Sequence, residues 1–172
     1  MIPDLTNIIG IIGATVALSS YLARTHLRLC FLVASGLMIL AAHYQLLGAS
    51  TTAVLCIFGA VRSLFGSWVS LQQERTRMAL TVAGITLTLI LTEITWLDWR
   101  SSISMLASLI LVWGSFQLRD VQFRKSMLLV EVVLGINAAV LGSKPGVILA
   151  VCGFLLNFWV LVRDRMSPVL RS

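Results

Sequence analysis

Residues 28–47 read RLCFLVASGLMILAAHYQLL, an apolar run between Arg28 and Gly48 with no acid and, past Arg28, His43 as its one basic side chain. At 1.5 Å per residue such a run spans about 30 Å as a helix, the thickness of a bilayer's hydrocarbon core. It lacks the period-two alternation of a membrane barrel strand. That leaves the helix, which satisfies its own backbone polar groups in lipid. Six further runs follow the same pattern, at about 7–23, 50–71, 78–95, 101–118, 126–142 and 145–162.

The composition agrees. Of 172 residues, 58% are hydrophobic and 12% charged, and the mean hydropathy is +0.96. A soluble domain carries roughly 25% charged residues to cover its surface, and seven acids with thirteen bases cannot do so. A soluble enzyme and a separate soluble domain are excluded; residues 1–172 read as a single all-α membrane domain of seven transmembrane helices. Cys30, Cys56 and Cys152 lie inside apolar runs with no CxxC spacing and read as buried small hydrophobes. No Lys or Arg precedes Arg24, so the first run lacks a signal peptide's basic leader and is read as a retained span.

Charge orients the spans. Ten of the thirteen bases follow odd-numbered spans: Arg24, Arg28, Arg75, Arg77, Arg119, Arg124, Lys125, Arg163, Arg165 and Arg171. Only Arg100 and Lys144 fall on the other side, and Arg62 lies within span three. The positive-inside rule then puts the N-terminus outside the cytoplasm and the C-terminus within it. The bases read as partners of lipid headgroups, not of nucleic acid. Trp96 and Trp99 flank Asp98 at the outer end of span four, where an interfacial aromatic belt is expected.

The sequence also repeats itself. Ser20-Tyr21-Leu22-Ala23-Arg24 returns as Ser115-Phe116-Gln117-Leu118-Arg119, Leu47-Gly48-Ala49 as Leu141-Gly142-Ser143, and Gly59 as Gly153, an offset of about 95 residues. Residues 7–71 thus form one three-helix repeat and 101–162 a second, with the helix at 78–95 as connector. Three spans reverse the chain's direction, so one connecting span restores it and the repeats run parallel. This three-one-three plan resembles that of the sugar-transporting SWEET proteins, a likeness of architecture only.

A closer resemblance lies in short motifs. His43-Tyr44-Gln45-Leu46-Leu47-Gly48 followed by Ala60-Val61-Arg62-Ser63-Leu64 resembles the signature of the YgjV-type bacterial inner membrane proteins, and Trp113 with Phe116, Asn137, and Asn157 with Arg163 fall where that family has its later elements. Val160 stands where the family can place an asparagine, and the turn Gly142-Ser143-Lys144-Pro145-Gly146 is shorter and more basic than the resemblance leads one to expect. The resemblance implies a bacterial inner membrane and no established activity.

Polar groups at membrane depth carry the functional reading, because each costs several kcal/mol there. Arg62 lies about 13–14 Å from the inner end of its span. It either snorkels to the headgroups or faces the bundle interior to bind an anionic group. Glu131 is expected about 8 Å from the inner boundary, where it is either solvated or protonated, or paired with Arg62, which lies within geometric reach. Asn137 matches His43 across the repeat and Asn157 matches Arg62–Ser63, so polar groups stand at equal depths in both halves. The candidate substrate-binding residues are therefore Arg62, Asn157, Glu131, Asn137 and His43, each with interhelical hydrogen bonding as the alternative role. Gly10 with Ala14, Gly59 with Ser63 and Ser63 with Ser67 form small-xxx-small pairs suited to close helix contacts.

No catalytic motif is present: no HExxH, no phosphate loop and no nucleophile elbow. His26 and His43 lie about 25 Å apart along one helix and cannot share a metal. An enzyme, a cofactor and a metal site are not expected. The expected partners are the lipid bilayer, a small solute with an anionic group and further copies of the chain. Two functional readings stay open: a small-solute carrier or permease working by alternating access, and a structural or regulatory membrane subunit without transport activity.

Overall fold

The computed structural model describes residues 3–20, 26–69, 73–118 and 120–166. Among them are seven helices and no strand: α1 (Pro3–Ser19), α2 (His26–Leu46), α3 (Ser50–Val69), α4 (Glu74–Ile94), α5 (Arg100–Gln117), α6 (Asp120–Val140) and α7 (Lys144–Met166). The motif residues Tyr21 to Arg24 and the basic residues Arg119 and Arg171 lie outside the described residues.

Helices α1, α4 and α6 begin four to six residues before the apolar runs do. A helix ends where backbone bonding ends, and polar residues at an interface continue it readily. Glu131 stands eleven residues past Asp120, roughly 16 Å into the helix, and not near its end.

Three helical stretches are long and apolar enough, by length and composition, to cross a membrane: Arg28–Leu46, Glu74–Ile94 and Lys144–Arg163. Leu5–Ser19 and Ser50–Phe65 are apolar but shorter. Helices α5 and α6 carry more polar residues, and several of these are buried: Ser101, Ser104, Ser108, Glu131 and Asn137. The outward faces are apolar in the manner of a lipid-facing surface, with Phe31, Ile94, Leu155 and Trp159 all more than half exposed.

The helices close into a ring. Contacts run α1–α2–α3–α5–α6–α7 and back from α7 to α1, while α4 lies outside against α5 and α3. Helix α4 meets α5 through Thr81, Gly84, Thr88 and Thr92, all buried, and each threonine hydroxyl donates to the carbonyl four residues earlier. At its start, Arg77 donates through Nε and Nη2 to the carbonyls of Phe116 and Gln117, 2.8 and 2.9 Å. It thereby caps the C-terminus of α5.

Two turns set the spacing of the ring. After α2, Gly48 N–H donates to Gln45 O and Ala49 N–H to Tyr44 O; after α6, Gly142 N–H donates to Ala139 O and Ser143 N–H to Ala138 O. These are Schellman closures, and the second set is the first with each residue number raised by 94. Gly48 (φ 76°) and Gly142 (φ 70°) take the left-handed conformation that the closure needs.

Candidate functional site

The ends of α2, α4 and α6 that face these turns gather polar groups into three hydrogen-bonded knots. In the first, the Nδ1 of His43 is 2.7 Å from the Thr6 carbonyl and its Nε2 is 2.8 Å from the Ser143 hydroxyl. A carbonyl only accepts, so Nδ1 carries a proton, and in the neutral ring Nε2 then accepts from Ser143. The serine oxygen in turn receives the Gly146 N–H, 3.1 Å, capping α7. This knot ties α1 and α2 to α7. His43 is completely buried, and Gly10 makes room for it: a Cβ there would stand 2.8 Å from the ring.

In the second knot Thr52 donates to Ser104, 2.6 Å, and Ser104 to Asn137 Oδ1, 3.1 Å. It ties α3 to α5 and α6. In the third, Thr51 donates to the Thr95 carbonyl, 2.5 Å, and lies 3.0 Å from Ser101. Beside it, Asp98 and Arg100 form an exposed pair at 3.5 Å.

Inside the ring lies a cavity of about 100 Å3. Its walls are largely apolar, with Leu37, Leu40, Leu55, Leu111, Leu134 and Leu149 among the lining residues. Arg62, Glu131 and Asn137 also line it, together with Tyr44, Thr52, Ser104 and Ser108. Arg62 is therefore turned inward and does not snorkel; it is 8% exposed and Glu131 9%.

The two charges do not touch. They form no ion pair, and neither side chain has a hydrogen bond among the described residues. They approach from helices that are not neighbours, since α3 and α6 make no contact. Each folds beside a glycine. Arg62 Nη2 lies 4.0 Å from where a Cβ on Gly59 would stand, and the Glu131 carboxylate 2.6–2.9 Å from where a Cβ on Gly153 would stand. Gly59 and Gly153 again differ by 94 in number, and the guanidinium and the carboxylate lie on different walls. Asn137 adds a third group: it is 1% exposed and its Nδ2 has no partner among the described residues.

His43 and Asn157 lie elsewhere. His43 is spent in the first knot, although its neighbour Tyr44 reaches the cavity. Asn157 Nδ2 donates to the Gly153 carbonyl, 3.0 Å, behind the glycine that seats Glu131. Ser63 does the same to Gly59 O at 2.8 Å. Among the described residues no group of three His, Cys, Asp or Glu side chains could hold a metal ion.

A family model described as a bacterial inner membrane protein, Imp-YgjV, matches residues 4–167. The chain belongs to this family. Neither a curated protein nor a solved structure matches it. Membership places the Imp-YgjV chain in the inner membrane, in keeping with its apolar outer surface. Sequence reading missed several polar residues of this Imp-YgjV protein's interior: Thr52, Ser104 and Tyr44 at the cavity, and Ser143 beside it. The available signal was the hydroxyl pairs Thr51-Thr52 and Ser101-Ser102 at the ends of otherwise apolar runs.

Proposed function

We propose that the protein is a small-solute carrier of the bacterial inner membrane, spanning it seven times as two parallel three-helix units, α1–α3 and α5–α7, joined by α4. The observation that carries this reading is the cavity, lined by a buried cation, a buried acid and a buried amide, none of them paired with another. Buried polar groups are nearly always paired; the unpartnered Asn137 Nδ2, lining one space with a guanidinium and a carboxylate that form no ion pair, argues for an occupant. The paired units are supported by the hydrogen bonds that recur 94 residues on, and by helix contacts that map onto themselves when α1, α2 and α3 exchange with α5, α6 and α7. A site near a pseudo-twofold axis between parallel repeats is a known carrier arrangement.

The mechanism would be alternating access. The first and second knots each tie one unit to the other, so the described state is closed at the turn end. Opening there requires the His43–Ser143 and Thr52–Ser104 bonds to break as the units rock. Arg62 favours a solute with a carboxylate or another oxyanion, which a guanidinium binds through two parallel hydrogen bonds. A specific observation also favours the second reading, a structural or regulatory subunit: His43, Thr51, Thr52 and Ser104 all serve as interhelical fasteners.

The test is a metabolite uptake screen in inverted and right-side-out vesicles, comparing the intact protein with Arg62→Ala and Glu131→Gln, and with Trp159→Leu on the outer surface as control. Uptake that is lost in the first two and kept in the third supports the carrier. Uptake of no solute, or uptake indifferent to both cavity changes, leaves the structural reading.

A further inference from the structure

Arg62 and Glu131 restrict the occupant further than its having an oxyanion. Together they contribute one positive and one negative charge to a space with apolar walls, from helices that are not adjacent. Consider what each class of solute does there. A simple anion satisfies Arg62 but sets a second negative charge beside Glu131. A simple cation satisfies Glu131 but sets a second positive charge beside Arg62. Like charges in a low-dielectric site are strongly unfavourable, and a buried charge left unpaired costs several kcal/mol. A solute carrying both charges alternates signs across the site and leaves neither protein group alone.

Size narrows the class again. Ligand pockets for drug-sized molecules run to about 300–1,000 Å3, and an apolar cavity of about 150 Å3 holds a six-atom ring such as benzene. The 100 Å3 here is smaller than either, which favours a solute of a few non-hydrogen atoms. The Asn137 Nδ2, about 9 Å along α6 from Glu131 at six residues' rise, is a further donor on the wall toward the turn end.

We propose that the cavity is a site for a small zwitterion of glycine to β-alanine size, its carboxylate on Arg62 and its ammonium on Glu131. The inference rests on the cavity's being a solute site, as the carrier reading holds, and adds the charge type of the solute.

The experiment separates the two claims. The purified full-length protein in detergent is unfolded thermally in the presence of glycine, L-alanine, β-alanine, propionate or propylammonium, each at the same ionic strength. β-Alanine, propionate and propylammonium share a three-carbon skeleton and differ in charge. The zwitterions should raise Tm by about 5 °C or more at saturating concentration, and the two singly charged probes by no more than about 1 °C. Glu131→Gln should invert the preference, binding propionate at least tenfold more tightly than the intact protein does, and Arg62→Gln should do likewise for propylammonium. Should either variant fail to fold, the five probes on the intact protein still decide. Stabilisation by propionate equal to that by β-alanine, or by none of the zwitterions, overturns the proposal. Flux of the same labelled probes into proteoliposomes is scored separately. Zwitterion binding without flux refutes the carrier and leaves the site. Flux of propionate without flux of any zwitterion leaves a carrier and refutes the zwitterion.

Discussion

Glycines in this molecule differ in what they touch, and the difference predicts their tolerance to change. A Cβ on Gly36 would stand 2.7–2.8 Å from the N, Cα and Cβ of Ala17. Backbone cannot swing aside, so Gly36→Ala must force α1 and α2 apart, a repacking cost of about 1–3 kcal/mol. A Cβ on Gly135 would meet only the Ala150 Cβ at 3.4 Å, an ordinary contact, and alanine favours a helix interior over glycine by about 0.5–1 kcal/mol. Thermal unfolding in detergent should show Gly36→Ala lowering Tm by about 3–10 °C and Gly135→Ala leaving it level or raising it slightly. Equal losses in the two variants would contradict the packing described. The inward turn of Arg62 was half legible in the sequence, where snorkelling and an interior role were equally open. What decides it is its placement on the inner side of α3, and helix rotation leaves no mark in the composition of a uniformly apolar span. The Arg62–Glu131 contact that spacing allows does not form, because α3 and α6 stand across the cavity from one another.

At the level of elements, the helices were readable because seven apolar runs need seven helices to bury their backbone groups. Their ends were less so. Hydropathy marks where lipid contact stops, whereas α6 continues through Arg124 and Lys125 back to Asp120. The turns were the most legible parts, since Leu47-Gly48 and Leu141-Gly142 announce left-handed closures of the same kind. Equivalent geometry implies equivalent energetics. Replacing Gly48 or Gly142 by alanine should cost about 1–2 kcal/mol each, the strain of a left-handed residue with a Cβ, because nothing else lies within 4 Å of either position. The two losses should add in the double variant, as for separated sites. Chemical denaturation checks this, and a loss confined to one turn would show that the closures are not equivalent. The N-cap Ser143 is the one asymmetry: Ala49 has no hydroxyl to offer α3. Ser143→Ala should therefore cost about 1–2 kcal/mol for the cap and the His43 bond together, measured in the same way.

For the whole molecule, the positive-inside pattern predicts that a C-terminal alkaline phosphatase fusion is inactive and a C-terminal fluorescent protein fusion bright. The reverse result would invert the proposed topology. The ring was not visible in the sequence, because a repeat specifies which helices correspond but not which ones adjoin. That α7 closes on α1, through Ser143, His43 and the Thr6 carbonyl, follows from three-dimensional packing alone. It has a consequence in time. A growing chain delivers helices in order, and α1 waits through the synthesis of five others before its second neighbour exists. Until α7 arrives, the face of α1 that will meet it has only lipid or a chaperone as company, and the seam opposite it is already assembled. Biogenesis of such a protein therefore ends with a late, long-range docking step rather than with the insertion of its last segment. A nascent chain arrested before residue 144 would be inserted, helical and still unfinished.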